Sequence, residues 1–274
     1  MSAPVAVIVP VLDAGPLLQR ALRSVAEQTL APREIIVVDD GSTDPATLAA
    51  LDEIARHPSV TLHRTANRGP AAARNLAIEH ASAPFILPLD ADDHLAPTFI
   101  ERTVPLLSER GGVDVVHTWV GLVGQHRGVW RTGDFALPAL LARCTVHVTS
   151  LFRRTLWERV GGFDPAFTDG AEDWDFWLSA AAAGARAECI PEVLTYYHRG
   201  PGSRERTARA RGTSRDLMAK LATKHRRLYE THLTEALALL YEEYAGTADA
   251  LERVYEHPLL RLATAWRSRR TSRP

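Results

Sequence analysis

Cysteine is almost absent: Cys144 and Cys189 are the only two in 274 residues. That excludes a disulfide-stapled scaffold and a cysteine-based zinc site. With no signal segment at the start, it points to a reducing, cytoplasmic setting. Neither sign of charge is in excess, since 32 Lys+Arg against 33 Asp+Glu leave a formal charge of -1; this gives no electrostatic footprint for a nucleic-acid partner. Long apolar runs are missing as well. The run from Val5 to Leu12 has no basic residue before it, contains Pro10 and stops at Asp13, whereas a membrane helix needs about 20 apolar residues. Val5-Ala6-Val7-Ile8-Val9 reads instead as a short strand buried on both faces, and no transmembrane segment is expected. There is no Gly-x-Gly-x-x-Gly after a strand and no Walker A sequence, so neither a dinucleotide oxidoreductase nor a P-loop enzyme is indicated.

What is present is an ordinary globular composition, 46% hydrophobic and 24% charged. At about 150 residues per domain the length suits one large α/β domain with an appendage. Apolar strand runs at Val5–Val9, Glu34–Val38, Val60–His63 and Pro84–Leu89 alternate with helical patterns. Those patterns lie around Leu18–Val25, from about Asp44 to Ala55, and over Ala71–His80. Such alternation predicts a mostly parallel sheet with helices on both faces. Further strands are expected at Val113–Val120, Val146–Phe152 and Ala187–Leu194, and a helix carrying Trp174, Trp177, Leu178 and Ala181. Tyr196 to Arg211 reads as a Gly/Pro/Ser/Arg-rich loop. Beyond it, Leu233, Leu237, Leu240, Tyr241 and Tyr244 fall at helical spacing, and Arg267 to Pro274 forms a basic end.

Four polar clusters sit at the ends of these elements, where ligands collect in open α/β sheets. In Asp39-Asp40-Gly41-Ser42 a carboxylate can accept hydrogen bonds from a base or ribose, while Ser42 or Asp44 serves equally as a helix N-cap. In Asp90-Ala91-Asp92, extended chain would aim both carboxylates the same way. Two converging carboxylates favour a divalent cation such as Mg²⁺ or Mn²⁺ that also takes phosphate oxygens, although an acidic turn is the plainer alternative. In Asn67-Arg68-Gly69-Pro70 and Ala73-Arg74-Asn75, Gly69 permits close backbone approach, and Arg74 either reaches a phosphate or locks a neighbouring Asp. In Glu172-Asp173-Trp174-Asp175 the acids suit the first turn of a helix, and the same geometry holds a general base at a cleft rim.

Taken in order, these motifs resemble the inverting family 2 glycosyltransferases of the GT-A fold, from residue 5 to about 205. Val7–Asp13 resembles the family's first strand, Ser24–Thr29 the end of its first helix, and Glu34–Asp44 (EIIVVDDGSTD) its nucleotide-binding strand and loop. Asn67–Asn75, Asp90-Ala91-Asp92 and Arg153–Asp164 followed by Glu172–Trp177 complete the match. The resemblance implies a Rossmann-like, mostly parallel central sheet flanked by helices, with a catalytic domain over 1–208 and a helical C-terminal extension over 209–274. It implies transfer of a sugar from a nucleotide-diphosphate donor, a UDP-sugar foremost, to a glycan, lipid, peptide or small-molecule acceptor.

The resemblance also assigns residues. Pro10, Asp13, Asp40, Asn67, Gly69, Arg74, Asp90, Ala91 and Arg199 would contact the nucleotide-sugar. Asp92 would hold Mn²⁺ or Mg²⁺, with His198 as a late ligand or diphosphate contact. Asp173 would be the base, with Glu172 beside it, and Arg199, Ser203 and Arg204 could close over the phosphates. Two other readings share the features: a non-catalytic nucleotide-sugar or glycan binder on the same fold, and a sugar-nucleotide-forming nucleotidyltransferase. The second needs a Gly-rich loop after the first strand, which Val11-Leu12-Asp13-Ala14-Gly15 does not offer. The C-terminal helices are expected to shape the acceptor site, pack on the catalytic domain or form a homodimer. The basic end would be a solvated tail or a peripheral contact with the inner face of an anionic membrane.

Overall fold

The computed structural model describes residues 2–109, 111–200 and 214–256. A twisted sheet runs through the middle. Its first block is β1 (Ala3–Val11), β2 (Pro32–Asp39), β3 (Val60–Arg64) and β4 (Phe85–Pro88), all parallel in the order β3-β2-β1-β4. The order continues through β8 (Leu151–Arg153), β6 (Val115–Gly124), β9 (Ala187–Arg199) and β5 (His94–Leu95). β8 is antiparallel to both its neighbours, β6 and β9 are parallel, and β5 closes the edge antiparallel to β9. The short β7 (Gly128–Trp130) forms a hairpin with β6.

Alternation along β1 divides the core in two. Val5, Val7, Val9 and Val11 face one apolar layer, which is closed by α1 (Leu17–Ala26), α2 (Pro45–Ile54) and α4 (Phe99–Glu109). Ala6 and Ile8 face the other, closed by α3 (Pro70–His80), α5 (Leu137–Ala142), α6 (Arg154–Val160) and α7 (Glu172–Ala182). A period of two with both faces apolar is what a parallel strand covered on both sides requires. Asp44 is the N-cap of α2, accepting from Thr47 N–H at 2.8 Å with Pro45 behind it, so Asp44 rather than Ser42 takes that role.

Two sequence motifs interlock in the core. Asn75 on α3 donates to the Phe163 carbonyl at 2.7 Å and accepts from both Phe163 N–H and Trp157 Nε1 at 2.9 Å. Gly162 has φ 81°, and a Cβ there would lie 2.8 Å from Asn75 Oδ1, so only glycine fits that approach. Gln28 does comparable work behind α1. It donates to the Ser24 and Ala96 carbonyls and accepts from Ile100 N–H, tying α1 to the segment that follows β5.

Two expectations change. Val146–Ser150 is buried but unpaired chain, and only Leu151–Arg153 enters the sheet as β8; the run is apolar because it lies inside, not because it pairs. Tyr196–Arg199 belongs to β9 rather than to a loop, held in register opposite Gly121–Gly124. Residues 201–211 of that loop, the boundary placed at 208/209 and the basic end lie outside the described residues. The helical pattern beyond that loop is α9 (Arg226–Glu256), which follows α8 (Ser214–Lys224) and bends at His232. It packs on the body through Ala236 and Tyr229, while Leu237 is 54% and Tyr244 73% exposed, so the stripe at helical spacing faces outward.

Candidate active site

The carboxyl ends of β1, β2 and β4 bring three loops together. Asp13, at φ 47°, accepts from Thr43 and Asp44 N–H, both at 2.7 Å, while its own N–H donates to Ser42 Oγ. These bonds hold its carboxyl below the usual range and stitch the β1 loop to the β2 loop. Pro10 pairs opposite Val38 one step earlier. Asp40 is buried, and its carboxylate accepts from Gly69 N–H at 2.8 Å, Arg68 N–H at 2.9 Å and Thr65 Oγ1 at 3.3 Å. Three of roughly four acceptor positions are filled. Asp40 therefore shapes the Asn67–Gly69 loop and retains one position for an outside donor. Asn67 is exposed, and Gly69 needs glycine for its φ of 88° alone, because the space around a Cβ there is open to 4 Å.

Asp90, Ala91, Asp92 and Asp93 do not continue the strand. Asp93 N–H donates to the Asp90 carbonyl at 3.0 Å and closes a turn, so the expected extended geometry is replaced by a tight reversal. Asp90 turns to Arg74 at 2.6 Å, Ala91 is buried and Asp92 stays partly exposed. Asp93 is fully buried, which its place at the end of an acidic run did not disclose. Its Oδ1 accepts from His198 N–H at 2.8 Å, joining the turn to β9, and Oδ2 faces His147 Nε2 at 3.7 Å. Burial, and then the charges of Asp92 and Asp90, push the Asp93 carboxyl up. Burial holds the His147 imidazole down to about 4.

Arg74 is the centre of the site. Its side chain is 1% exposed, with Nη2 on Asp90 at 2.6 Å and Nη1 on Glu172 at 2.8 Å, and it stacks over Phe163. Of the two roles open to it in the sequence, the lock on a neighbouring Asp is the one this geometry displays, with the guanidinium buried and doubly paired. Glu172 is held in the same way. Its carboxylate is buried against Arg74, so it fixes the start of α7.

Asp173, one residue on, remains half-buried and accepts only its neighbour Trp174 N–H at 2.8 Å among the hydrogen bonds described. Burial and the Glu172 charge raise its carboxyl to about 6 despite Arg74 nearby. The chain reaches this point through Ala171 in the left-handed region, φ 64°, a conformation costing on the order of 1 kcal/mol that packing around Trp174 and Phe176 must offset. Asp175 completes the motif from inside, receiving Lys224 Nζ and His225 Nε2 at 2.8 Å each, so the C-terminal helices grip the helix that carries Asp173. Its i+3 spacing from buried Glu172 was the available signal. Arg199 lies over the Tyr197 ring at 6.0 Å, while Ser203 and Arg204 lie outside the described residues.

Among the described residues no three His, Cys, Asp or Glu side chains converge as a ready-made metal cage. A hard cation held by one or two side chains and completed by substrate phosphates needs none. Asp92, partly exposed on its turn, and His198, on the strand tied to Asp93, fit that kind of ion.

Comparison with known proteins agrees with this arrangement. The sequence profile described as Glycosyl transferase family 2 matches residues 6–172, more than half of the chain. The chain is 28% identical over 232 residues to the uncharacterized glycosyltransferase YwdF of Bacillus subtilis, covering 81% of this chain and 84% of that one. It is 30% identical to the succinoglycan biosynthesis protein ExoO of Rhizobium meliloti over 74% of this chain and 62% of that protein. Among solved structures, the mannosyltransferase PcManGT of Pyrobaculum calidifontis, in complex with GDP-Man and Mn²⁺, aligns with TM-score 0.63 at 23% identity, over 97% of this chain and 84% of that one. S. aureus TarS 1–349 with UDP-GlcNAc aligns with TM-score 0.64 at 23% identity, over 76% of this chain and 61% of that one. The motifs locked together by Asn75, Asp40 and Arg74 are thus those of a known enzyme family, and the chain belongs to glycosyl transferase family 2, a glycosyltransferase with the GT-A fold.

Proposed function

We propose that this enzyme transfers a sugar from a nucleoside-diphosphate donor, a UDP-sugar foremost, to an acceptor nucleophile by direct displacement with inversion, using Mn²⁺ or Mg²⁺. The observation that carries the reading is the buried Asp90–Arg74–Glu172 chain, which fixes the loop after β4 against the start of α7 and leaves Asp92 and Asp173 only partly buried. Pro10, Asp13, Asp40, Asn67 and Gly69 line the nucleoside end, and Asp90 and Ala91 the sugar end. Asp92 and His198 hold the metal in the manner of an Asp-x-Asp site, with Arg199 at the diphosphate. When bound, the ion supplies Lewis-acid stabilisation of the departing diphosphate. Asp173 takes the acceptor's proton as the new bond forms, and a carboxyl raised to about 6 is better matched to that task than an ordinary Asp near 3.9.

The test is thermal stabilisation by UDP-, GDP- and dTDP-sugars, each with and without Mn²⁺; UDP-GlcNAc and GDP-Man, the ligands of two structural neighbours, head the panel. One base class should raise Tm only with metal, by several degrees at 100 times its Kd. Stabilisation that EDTA leaves untouched contradicts the metal role, and stabilisation without turnover on glycan, lipid, peptide and small-molecule acceptors favours a binder.

The proposed setting is the cytoplasm; no helix among the described residues is long and apolar enough to cross a membrane. The C-terminal helices are proposed to form a homodimer through Leu233, Leu237, Leu240, Tyr241 and Tyr244, all exposed on α9. Sedimentation should then give a dimer that Leu237→Glu converts to monomer without lowering Tm. A wild-type monomer at tens of micromolar removes that face from self-association.

A further inference from the structure

The geometry points to a second ligand site, for a small phosphorylated molecule, between α1, β5 and β9. A cavity of about 330 Å³ opens there, lined by Arg20, Arg23, Ser24, Glu27, His94 and Tyr196 among others. That volume lies at the lower end of the roughly 300–1,000 Å³ typical of small-molecule sites. Arg20 and Arg23 are three residues apart on α1, so their guanidinium groups share one helix face. Neither is ion-paired with a carboxylate among the described residues. Arg20 spends Nη2 on the Asp92 carbonyl at 2.6 Å, and its Nε is buried without a partner.

Arg20 feels the Asp93 carboxyl but forms no ion pair with it, and a phosphate dianion accepting from two arginines on one helix face is the ligand chemistry this arrangement suits. Glu27 offsets one of the two charges. The formal charges of Arg20, Arg23 and Glu27 in the lining thus leave one positive charge in excess. His94 stacks on Tyr196, with ring centroids 4.6 Å apart and planes within 10°, and its buried Nδ1 has no partner. This aromatic pair offers an apolar plane beside the arginines, suited to a sugar ring, and Glu27 offers an acceptor for its hydroxyls.

The site is coupled to the active site through one bond. Arg20 holds the carbonyl of Asp92, so an anion that orders Arg20 also orders the turn that carries Asp92. The functional weight of that coupling rests on the metal role proposed above; the binding does not.

Both parts can be measured on the full chain stripped of metal with EDTA. Isothermal titration with inorganic phosphate and with glucose 6-phosphate should show saturable binding. Arg23→Gln, at an exposed position, should weaken it at least tenfold, and Asp92→Asn should leave it within twofold. No saturable binding, or binding that survives Arg23→Gln and disappears in Asp92→Asn, would overturn the site, because the anion would then lie in the donor cleft. Tighter binding of glucose 6-phosphate than of phosphate identifies the phosphorylated sugar as the ligand class; equal affinity reduces the ligand to its phosphate. Hydrogen exchange over residues 90–95 should slow on addition of phosphate in the wild type and not in Arg20→Gln. Unchanged exchange in the wild type overturns the coupling.

Discussion

Replacing Asp173 by Asn should lower sugar transfer by about 10²–10⁴-fold, the span that a positioned general base contributes, while donor affinity stays within twofold of wild type. The separation follows from placement. Asp173 shares the start of α7 with Glu172, yet of these two acids only Glu172 is ion-paired with Arg74, so removing one charge from Asp173 leaves the buried chain intact. The pH dependence carries the same signature. Asp173 must be ionised to accept a proton, and its carboxyl lies at about 6, so the wild-type rate should fall tenfold per unit below that value and level off above it. The residual rate of Asp173→Asn should lack this limb. Stability moves oppositely to activity. The folded carboxyl holds its proton more tightly than an unfolded Asp at 3.8, so its ionisation costs stability as pH rises from about 4 to 6. Asp173→Asn should therefore melt no lower than wild type at pH 7.5, which separates lost chemistry from lost folding. Near-normal turnover in the variant removes Asp173 from the role.

How much of this can be read from the chain depends on how local the physics is. The strands at Val5–Val9, Glu34–Val38 and Val60–His63 and the helices between them stand where the sequence places them, because β-branched runs and helical apolar spacing act within one element. The carboxylate clusters are also where the strand ends put them. What the sequence does not disclose is pairing across distance. Nothing near Leu151 announces that β8 inserts antiparallel between β4 and β6. Nothing near Tyr196 says that β9 runs on to Arg199 because β6 offers a partner that far. The same limit decides the site. Asp90 and Asp92 look like a matched pair in extended chain, but one hydrogen bond from Asp93 turns them apart and gives Asp90 to Arg74. Glu172 and Asp173 look equivalent in the first turn of a helix, and they differ because an arginine 98 positions away in the chain takes one of them. Roles within a motif are assigned by partners the motif does not contain.

Arg74 is accordingly the residue whose loss should cost the fold most. Its guanidinium is buried between two carboxylates, which together raise its pKa further still against the opposing effect of burial. Arg74→Met keeps much of the side chain's length but strands Glu172 inside the protein and takes from Asp90 its pairing with the guanidinium. Breaking a buried pair by removing one partner costs about 3–5 kcal/mol. For a chain of this size that corresponds to a fall in Tm of roughly 10 °C, read by calorimetry at pH 7.5. Arg74→Lys should recover only part, since an ammonium is a point charge and cannot present two parallel nitrogens to both acids. Adding Glu172→Gln to Arg74→Met should restore stability, because the stranded charge is then gone; a double variant no more stable than the single one would show that the loss arises from packing over Phe163 instead. Activity offers an independent check. Arg74 lowers the Asp173 carboxyl, so in any folded Arg74→Met enzyme the acid limb of the rate profile should shift to higher pH. A limb that stays near 6 would mean that the arginine and the base are not electrostatically linked.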